Sequence, residues 1–243
     1  MNNAKALIPL GFLLALGLVI STYLVTNVAR DILMAHQIIK VRGYAEIPVE
    51  SDLAGWQITV KAKDSNVAYA YPILASHRDD VLTFLEENGV KPVEIKINPV
   101  QMRERMKRTE KGHETSEIEA FQLSQDITVK SKDVHNISRM AMSIADLLGR
   151  GVHLKTEMPS YYYTGVNALK SQLLVEATKD ARMRAKTLAE GSGANLGPLR
   201  AARQGVFSVQ SADASSIAEK PGDDVSSIAK KVTAVVTFDY VMR

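Results

Sequence analysis

Seven segments of the chain alternate apolar and polar residues, and each predicts a half-buried β-strand because successive strand side chains point to opposite faces of a sheet. By first residue, the segments are IIKVRGYAEIPVE from Ile38, WQITVKAK from Trp56, VEIKINPVQMRERM from Val93, IEAFQLSQDITVKSK from Ile118, VHLKTEMPSYYYT from Val152, LRAARQGVFSV from Leu199 and KKVTAVVTFDYVM from Lys230. The third and fourth predict two long strands joined across the polar tip KRTEKGHETS. Gly43 in the first predicts a bulge.

Apolar residues spaced three and four positions apart predict three helices between these strands. The first is capped by Asp64 or Ser65 and runs to about Asn88. Pro72 lies inside it, so the pattern predicts either a kink there or a helix that begins at Tyr71.

The second helix is capped by Asp133 and closes at Gly149 and Gly151. The third is the longest, from Asn167 to Gly191, and its small residues predict a close approach to a sheet or to another helix. Its predicted apolar stripe consists of Leu174, Ala177, Ala181, Ala185 and Leu188.

Two stretches of the chain are nearly identical: ITVKAKD at Ile58–Asp64 and ITVKSKD at Ile127–Asp133 agree at six of seven positions. Each reads as a strand that ends in a helix-capping aspartate, and each helix leads to another strand. We interpret the pair as two copies of a strand–helix–strand unit rather than as a coincidence or as paired ligand sites. A second, shorter sequence repeat, named here the SSIA repeat, consists of DASSIAEK at Asp213–Lys220 and DVSSIAKK at Asp224–Lys231. It indicates a tandem insertion in a loop.

The N-terminus carries no charged residue from Ala6 to Ala29. At about 1.5 Å of rise per residue, such a run spans a hydrocarbon core of roughly 30 Å, which predicts a transmembrane helix that contacts membrane lipid. The alternative is a cleaved signal peptide, but the run is longer than is usual for one, and Asn27 fits poorly in a cleavage site after Ala29. We therefore predict an uncleaved signal anchor at residues 1–30 and an extracytoplasmic domain at residues 31–243.

The sequence offers little for catalysis or metal binding. Because the chain contains no cysteine, thiol chemistry and lipoprotein processing are excluded. The five histidines are far apart in sequence and have no ligand-like spacing; they are His36, His77, His113, His135 and His153. We interpret Met140 and Met142 as helix-packing residues. No catalytic, cofactor-binding or metal-binding residue is assigned, and no cofactor is predicted.

The run RERMKRTEK, Arg103–Lys111, is interpreted as a solvated hairpin that resists edge aggregation, with contact to anionic lipid or a neighbouring subunit as the alternative. It lacks interleaved aromatic residues, and no nucleic-acid partner is predicted. The aromatic cluster SYYYT at Ser160–Thr164 is interpreted as core and rim packing, with the alternative that strand alternation leaves at least one tyrosine exposed and available to a partner.

Four stretches together resemble the SIMPL-domain family of exported bacterial proteins. They are VRGYAEIPVESDLAGWQITVKAKD, EAFQLSQDITVKSKDV, SYYYTGVNALKSQLLVEATKDARMRAKTLAEGSGANLGPLRAARQGVF and SSIAKKVTAVVTFDYVM. The resemblance covers about Ile38 to Met242, and LLVEATKDARMRAKTLAEGSG is its most specific part. It implies an α+β domain in the periplasm or at the cell envelope, a link to oxidative-stress defence and ring-like homo-oligomers in some members, and no catalytic residue set.

The predicted fold is therefore an α+β, SIMPL-like domain with repeated strand–helix–strand units and a mixed or antiparallel sheet, preceded by one transmembrane helix. We predict a single-pass protein of the inner membrane whose periplasmic domain self-assembles into homo-oligomers. Its predicted role is non-catalytic and serves envelope maintenance or protection from oxidative stress. Two alternatives stay open, a module that binds a small molecule or peptide and an enzyme of unrecognised type.

Overall fold

The computed structural model describes residues 16–23, 25–26, 38–110, 112–214 and 223–242. Its strands are β1 Ile38–Glu50, β2 Leu53–Asp64, β3 Ile95–Ile97, β4 Gln101–Arg108, β5 Glu114–Ser131, β6 Leu154–Thr156, β7 Ser160–Tyr162, β8 Leu196–Ser211 and β9 Ala229–Met242. Its helices are α1 Val67–Glu87, α2 Val134–Ser143, α3 Asp146–Gly149 and α4 Val166–Gly191, with a short 3-10 helix at Pro92–Glu94. Helices combined with antiparallel sheets confirm the α+β class.

Residues 16–23 and 25–26 are helical. Much of the predicted membrane-spanning segment, Ala6–Ala29, lies outside the described residues. Within the described ranges, no helix combines the length and the apolarity that a membrane span requires.

The chain divides into two compact units. The sheet unit comprises Ile47–Leu169 and Ser208–Val232, and the helix unit comprises Met1–Glu46, Lys170–Phe207 and Thr233–Arg243.

The sheet unit contains a six-stranded sheet of order β3-β5-β2-β6, in which β4 also pairs with β5 and β7 with β2. In the first copy, β2 is followed by α1 and then by the short strand β3. In the second copy, β5 is followed by α2, α3 and then the short strand β6. Each short strand pairs antiparallel with the long strand of the other copy, β3 with β5 and β6 with β2. This arrangement is a split β-α-β fold, and it confirms the predicted repetition of strand–helix–strand units.

The register of the central strands explains the repeated sequence. Ile58 of the first copy lies directly opposite Ile127, the same position of the second copy. Val60 pairs with Leu154 of β6, and the equivalent Val129 pairs with Ile95 of β3. The two copies are therefore related by a pseudo-two-fold axis that passes through the Ile58–Ile127 pair.

One face of this sheet is covered by helices and the other is open. Alternate residues of β2 are buried against α1 and α2 in a single apolar core, whereas Gln57, Thr59 and Lys61 lie on the opposite face. The core residues from these three elements include Trp56, Ile58, Val60, Leu74, Val81, Leu85, Ile137 and Met140.

The helix caps follow the predicted pattern with one shift. The Asp133 side chain accepts a hydrogen bond from the Asn136 amide and caps α2, as predicted. The cap of α1 is Asn66, which accepts from the Ala68 amide, whereas the Asp64 carboxylate accepts from the amide of Asn66 itself. The helix continues from Val67 through Pro72, so the predicted later start at Tyr71 is wrong.

Prolines break two of the predicted strands. The segment from Val93 divides at Pro99 into β3 and β4, and the segment from Val152 divides at Pro159 into β6 and β7. Proline cannot donate a ladder hydrogen bond, so it interrupts pairing with an inner strand such as β5 or β2. Pro48 and Pro198 lie within β1 and β8 without breaking them; both are edge strands of a three-stranded sheet of order β1-β9-β8, a position in which proline is tolerated.

In the helix unit, α4 buries one residue in every four. The buried residues are Leu173, Ala177, Ala181, Ala185 and Ala189. The predicted stripe is wrong at Leu188, which is exposed, and at Leu174, which is half-buried. The buried alanines are spaced four residues apart. The same spacing continued in both directions reaches Leu173 and Ala189, not Leu174 and Leu188.

Gly43 lies where β1 contacts α4. Strand β1 runs through it without interruption, so the glycine serves close approach rather than the predicted bulge. A Cβ atom at Gly43 would lie 2.1 Å from the carbonyl oxygen of Ala177 and 2.6 Å from the Ala181 Cβ. The next amide, that of Tyr44, donates to Asp180 Oδ2 of the helix at 2.8 Å, and Arg184 Nε donates to the same oxygen at 2.8 Å.

We predict that Gly43→Ala destabilises the protein by about 2 kcal/mol or more, because the added methyl group collides with helix backbone that cannot rotate away. Urea unfolding followed by circular dichroism measures the loss. Gly191→Ala, at the end of the same helix with no atom within 4 Å of the added Cβ, is the control and leaves stability within about 0.5 kcal/mol. Equal stability of Gly43→Ala and wild type would contradict the contact.

Candidate functional site

The open face of the six-stranded sheet carries a cleft with an apolar end and a polar end, named here the open-face cleft. The apolar end has a volume of about 420 Å³ and includes Leu53, Met158 and Tyr162. The polar end has a volume of about 280 Å³, and Gln57 and Glu157 line both ends. Strand alternation supplies most of the lining, because side chains such as Gln57 and Thr128 face away from the core, while the core residues Ala54 and Trp56 also border the apolar end.

Charged and amide groups crowd the polar end. Lys61 and Arg103 line it without an ion-pair partner among the described residues. Lys155 pairs with Glu157 at 3.2 Å, and Thr59 Oγ1 donates to Asp126 Oδ1 of the neighbouring strand at 2.6 Å. Two unpaired cations beside an apolar pocket suit a small amphipathic molecule that carries an anionic group.

The tyrosine cluster contributes to this cleft as its alternation predicts. Tyr161 is buried in the core, whereas Tyr162 is exposed and lines the apolar end. The exposed tyrosine predicted from the sequence is therefore Tyr162.

The basic run lies on the β4–β5 hairpin, whose tip is held by exposed ion pairs. Lys107 Nζ lies 2.8 Å from Glu117 Oε2, and Arg108 lies 3.0 Å from Glu114 Oε1. The hydrogen bond that the Lys107 ammonium donates to Glu117 raises the pKa of Lys107. These pairs neutralise several charges of the tip while leaving their side chains in solvent, as expected of a solvated hairpin.

Two histidines that are remote in sequence meet in the fold. The ring centroids of His77 on α1 and His153 before β6 are 5.4 Å apart. No sequence spacing indicates this contact, because it depends on where α1 lies relative to the start of β6. His113 is at the hairpin tip, His135 contacts Glu50, and His36 lies outside the described residues. In the described part of the chain, no three histidine or acidic side chains gather around one point.

The methionines of α2 differ from each other in exposure. Met140 is buried, as predicted, but Met142 is 80% exposed, so its assignment to helix packing is wrong. Residues two positions apart point to different sides of a helix, and only Met140 falls on the buried stripe. Met142 shares a small cleft of about 210 Å³ with Met158, which is 87% exposed.

A buried ion pair stabilises the second copy of the SSIA repeat, Asp224–Lys231. The side chain of Lys230 is 0% exposed, and its Nζ donates to Asp224 Oδ2 at 2.9 Å and to the Asp224 carbonyl at 2.6 Å. Ser226 and Ser227 donate to the same carboxylate. Burial raises the pKa of Asp224, but the hydrogen bonds from Ser227, Lys230 and Ser226 outweigh it and hold the pKa well below its usual range. The predicted loop thus contains a fixed turn, while residues 215–220 of the first copy lie outside the described residues.

The fold and its surfaces define an α+β protein with a split β-α-β sheet, one covered sheet face and one open, polar face. The family model described as SIMPL, protein of unknown function (DUF541), matches residues 39–240, and the chain belongs to this family. This match confirms the family resemblance seen in the sequence. No curated protein matches the chain.

We predict that Asp224→Asn destabilises the protein by about 3 kcal/mol at pH 7, because it leaves the Lys230 ammonium buried without a carboxylate. The folded-state pKa of Asp224 lies below the unfolded value of about 3.9, so its contribution is present above that pH and is lost as the pH falls below it. The gap between wild type and variant in urea unfolding should therefore narrow between pH 5 and pH 2.

The control for this prediction is Glu157→Gln, which removes one partner of the exposed pair with Lys155 and costs less than about 1 kcal/mol. A gap between wild type and Asp224→Asn that is absent at pH 7, or that stays constant down to pH 2, would contradict the role of the buried pair.

Proposed function

We propose that this protein is a membrane-anchored, periplasm-facing SIMPL-family protein that self-assembles and serves a non-catalytic role in envelope maintenance or protection from oxidative stress. The uncharged run Ala6–Ala29 supplies the anchor in the inner membrane. The observation that carries the assembly proposal is the exposed edge strand β8.

Strand β8 has the properties of an association edge. It is 16 residues long and lies at the end of the β1-β9-β8 order, so no described strand pairs with its outer side. Val206 is 73% exposed, and Leu199 is also exposed on the same strand. Soluble proteins commonly keep edge strands short or charged, because unpaired amides and carbonyls recruit a strand of another chain.

A second copy of the same chain is the proposed occupant of this edge. Two identical edges can pair antiparallel about a two-fold axis, which is the commonest symmetry of homo-oligomers. Anchoring in one membrane raises the effective concentration of the copies and favours such pairing without any additional contact.

The exposed methionines supply a chemical route for oxidative-stress protection. Hydrogen peroxide transfers one oxygen atom to a thioether, which yields methionine sulfoxide and water, and reductases reverse the modification. Met142 and Met158 are accessible to such oxidants, and the chain has no cysteine that would compete. The role is stoichiometric, because each sulfur consumes one oxidant molecule.

The open-face cleft favours a second candidate function, the binding of a small molecule. Its apolar end has a volume within the usual range of ligand pockets, and Lys61 and Arg103 at the polar end would bind an anionic group. This candidate concerns the sheet unit alone and is compatible with assembly through β8.

Native mass spectrometry of the full chain, extracted from membranes in mild detergent, tests the assembly proposal. We expect an oligomer for wild type and a shift to monomer for Val206→Glu, which places a desolvated charge in the paired edge. Val93→Glu is the matched control, because Val93 is also highly exposed but lies in the 3-10 helix Pro92–Glu94 and not on β8. A wild type that stays monomeric at all concentrations, or a Val206→Glu variant that still assembles, would overturn this mode of assembly. A co-purified small-molecule mass that is lost in Lys61→Ala would support the second candidate.

A further inference from the structure

We propose that His77 and His153 form a binding site for a divalent transition-metal ion such as Cu²⁺, Ni²⁺ or Zn²⁺, with water completing the coordination shell. This inference does not depend on the proposed assembly or on the open-face cleft. It rests on the position of the two imidazole rings and on the way in which one residue, Lys61, fixes both histidines.

The spacing of the rings fits two ligands of one ion. For metal–nitrogen distances of about 2.0–2.1 Å and a tetrahedral angle, the centroids of two imidazoles on one ion lie roughly 5 Å apart. The centroids of His77 and His153 are 5.4 Å apart, with an angle of 63° between the ring planes. In the proposed site, the exposed ring of His153 turns about its side-chain bonds so that one of its nitrogens and Nε2 of His77 are directed to a common point.

The backbone of Lys61 on β2 positions both histidines. Its carbonyl oxygen lies 2.9 Å from His77 Nδ1, and its amide donates to the carbonyl oxygen of His153 at 2.8 Å. A carbonyl oxygen can only accept, so His77 Nδ1 carries the proton of this hydrogen bond and the Nε2 of the neutral ring keeps its lone pair. A hydrogen bond from the second ring nitrogen to a backbone carbonyl is the usual support of a metal-bound histidine, because it fixes the tautomer and the ring orientation.

Both rings are available to an ion in solution. His77 is half-buried and His153 is exposed, and neither ring has a carboxylate partner among the described residues. Two imidazoles favour borderline ions over Mg²⁺ or Ca²⁺, and Cu²⁺ binds most tightly within the divalent series. With two protein ligands, the site is open, and water molecules occupy the remaining positions.

Titration of the metal-free full chain with CuCl₂, read by calorimetry and by electron paramagnetic resonance, tests the site. We expect His77→Gln and His153→Gln each to weaken the binding of one equivalent of Cu²⁺ at least tenfold, and the double variant to be little weaker than either one, because the two rings act as a chelate. Nitrogen hyperfine structure from two imidazoles should be present in wild type and absent from both variants.

His113→Gln is the matched control, since it removes a histidine of the same unit at the exposed hairpin tip and should leave the affinity unchanged. The thermal midpoint of wild type should also rise with NiCl₂, while that of His153→Gln should not. His153→Gln is expected to fold because its ring is exposed, so the test does not depend on the folding of His77→Gln. Unchanged Cu²⁺ affinity in His153→Gln, or equal losses in His113→Gln, would overturn the site.

Discussion

The antiparallel pairing of β2 with β5 is the interaction on which the rest of the sheet unit depends. The ladder joins Ala54–Asp64 to Phe121–Ser131, and the pair on its pseudo-two-fold axis, Ile58 and Ile127, is completely buried. Each of the other described strands of this sheet pairs with one of these two, and α1 and α2 pack on the same covered face. Because side chains alternate with a period of two, a register slip of one residue would turn Ile58, Val60 and their partners to solvent. The nearly identical ITVK stretches thus have a physical role, since each supplies one side of the ladder.

The same pairing determines where function can reside. One face of β2 and β5 is committed to the apolar core, so polar groups such as Lys61 and Asp126 are directed to the opposite face and create the open-face cleft. The backbone of Lys61 also supports the two histidines at the edge of the ladder. A single residue of β2, Lys61, therefore contributes its side chain to one candidate site and its backbone to another.

Local patterns predicted much of this fold, and non-local contacts account for the rest. Strand alternation and the capping aspartate Asp133 are local signals, and the structure bears them out. The strand breaks at Pro99 and Pro159 also coincide with a local signal, because proline has no amide N–H to donate to the neighbouring strand. The role of Gly43 was not readable, since it depends on the distance to a helix more than a hundred residues later in the chain.

The candidate sites were less predictable than the fold. The contact of His77 with His153 and the burial of Lys230 against Asp224 arise from the positions of whole elements, and no sequence spacing encodes them. Sequence patterns predict the exposure of one surface residue and miss that of another. The alternation of SYYYT correctly predicts an exposed tyrosine, whereas the interpretation of Met142 as a helix-packing residue is wrong because it lies off the buried stripe of α2.

Native-state hydrogen exchange of the backbone amides of Ile58, Val60, Ile127 and Val129 tests the central role of the ladder most directly. These amides should exchange only through global unfolding, with a free energy and a urea dependence equal to those of the whole sheet unit. If they instead exchange through a smaller opening while the amides of α1 stay protected, the β2–β5 pairing is not the interaction that holds the unit together.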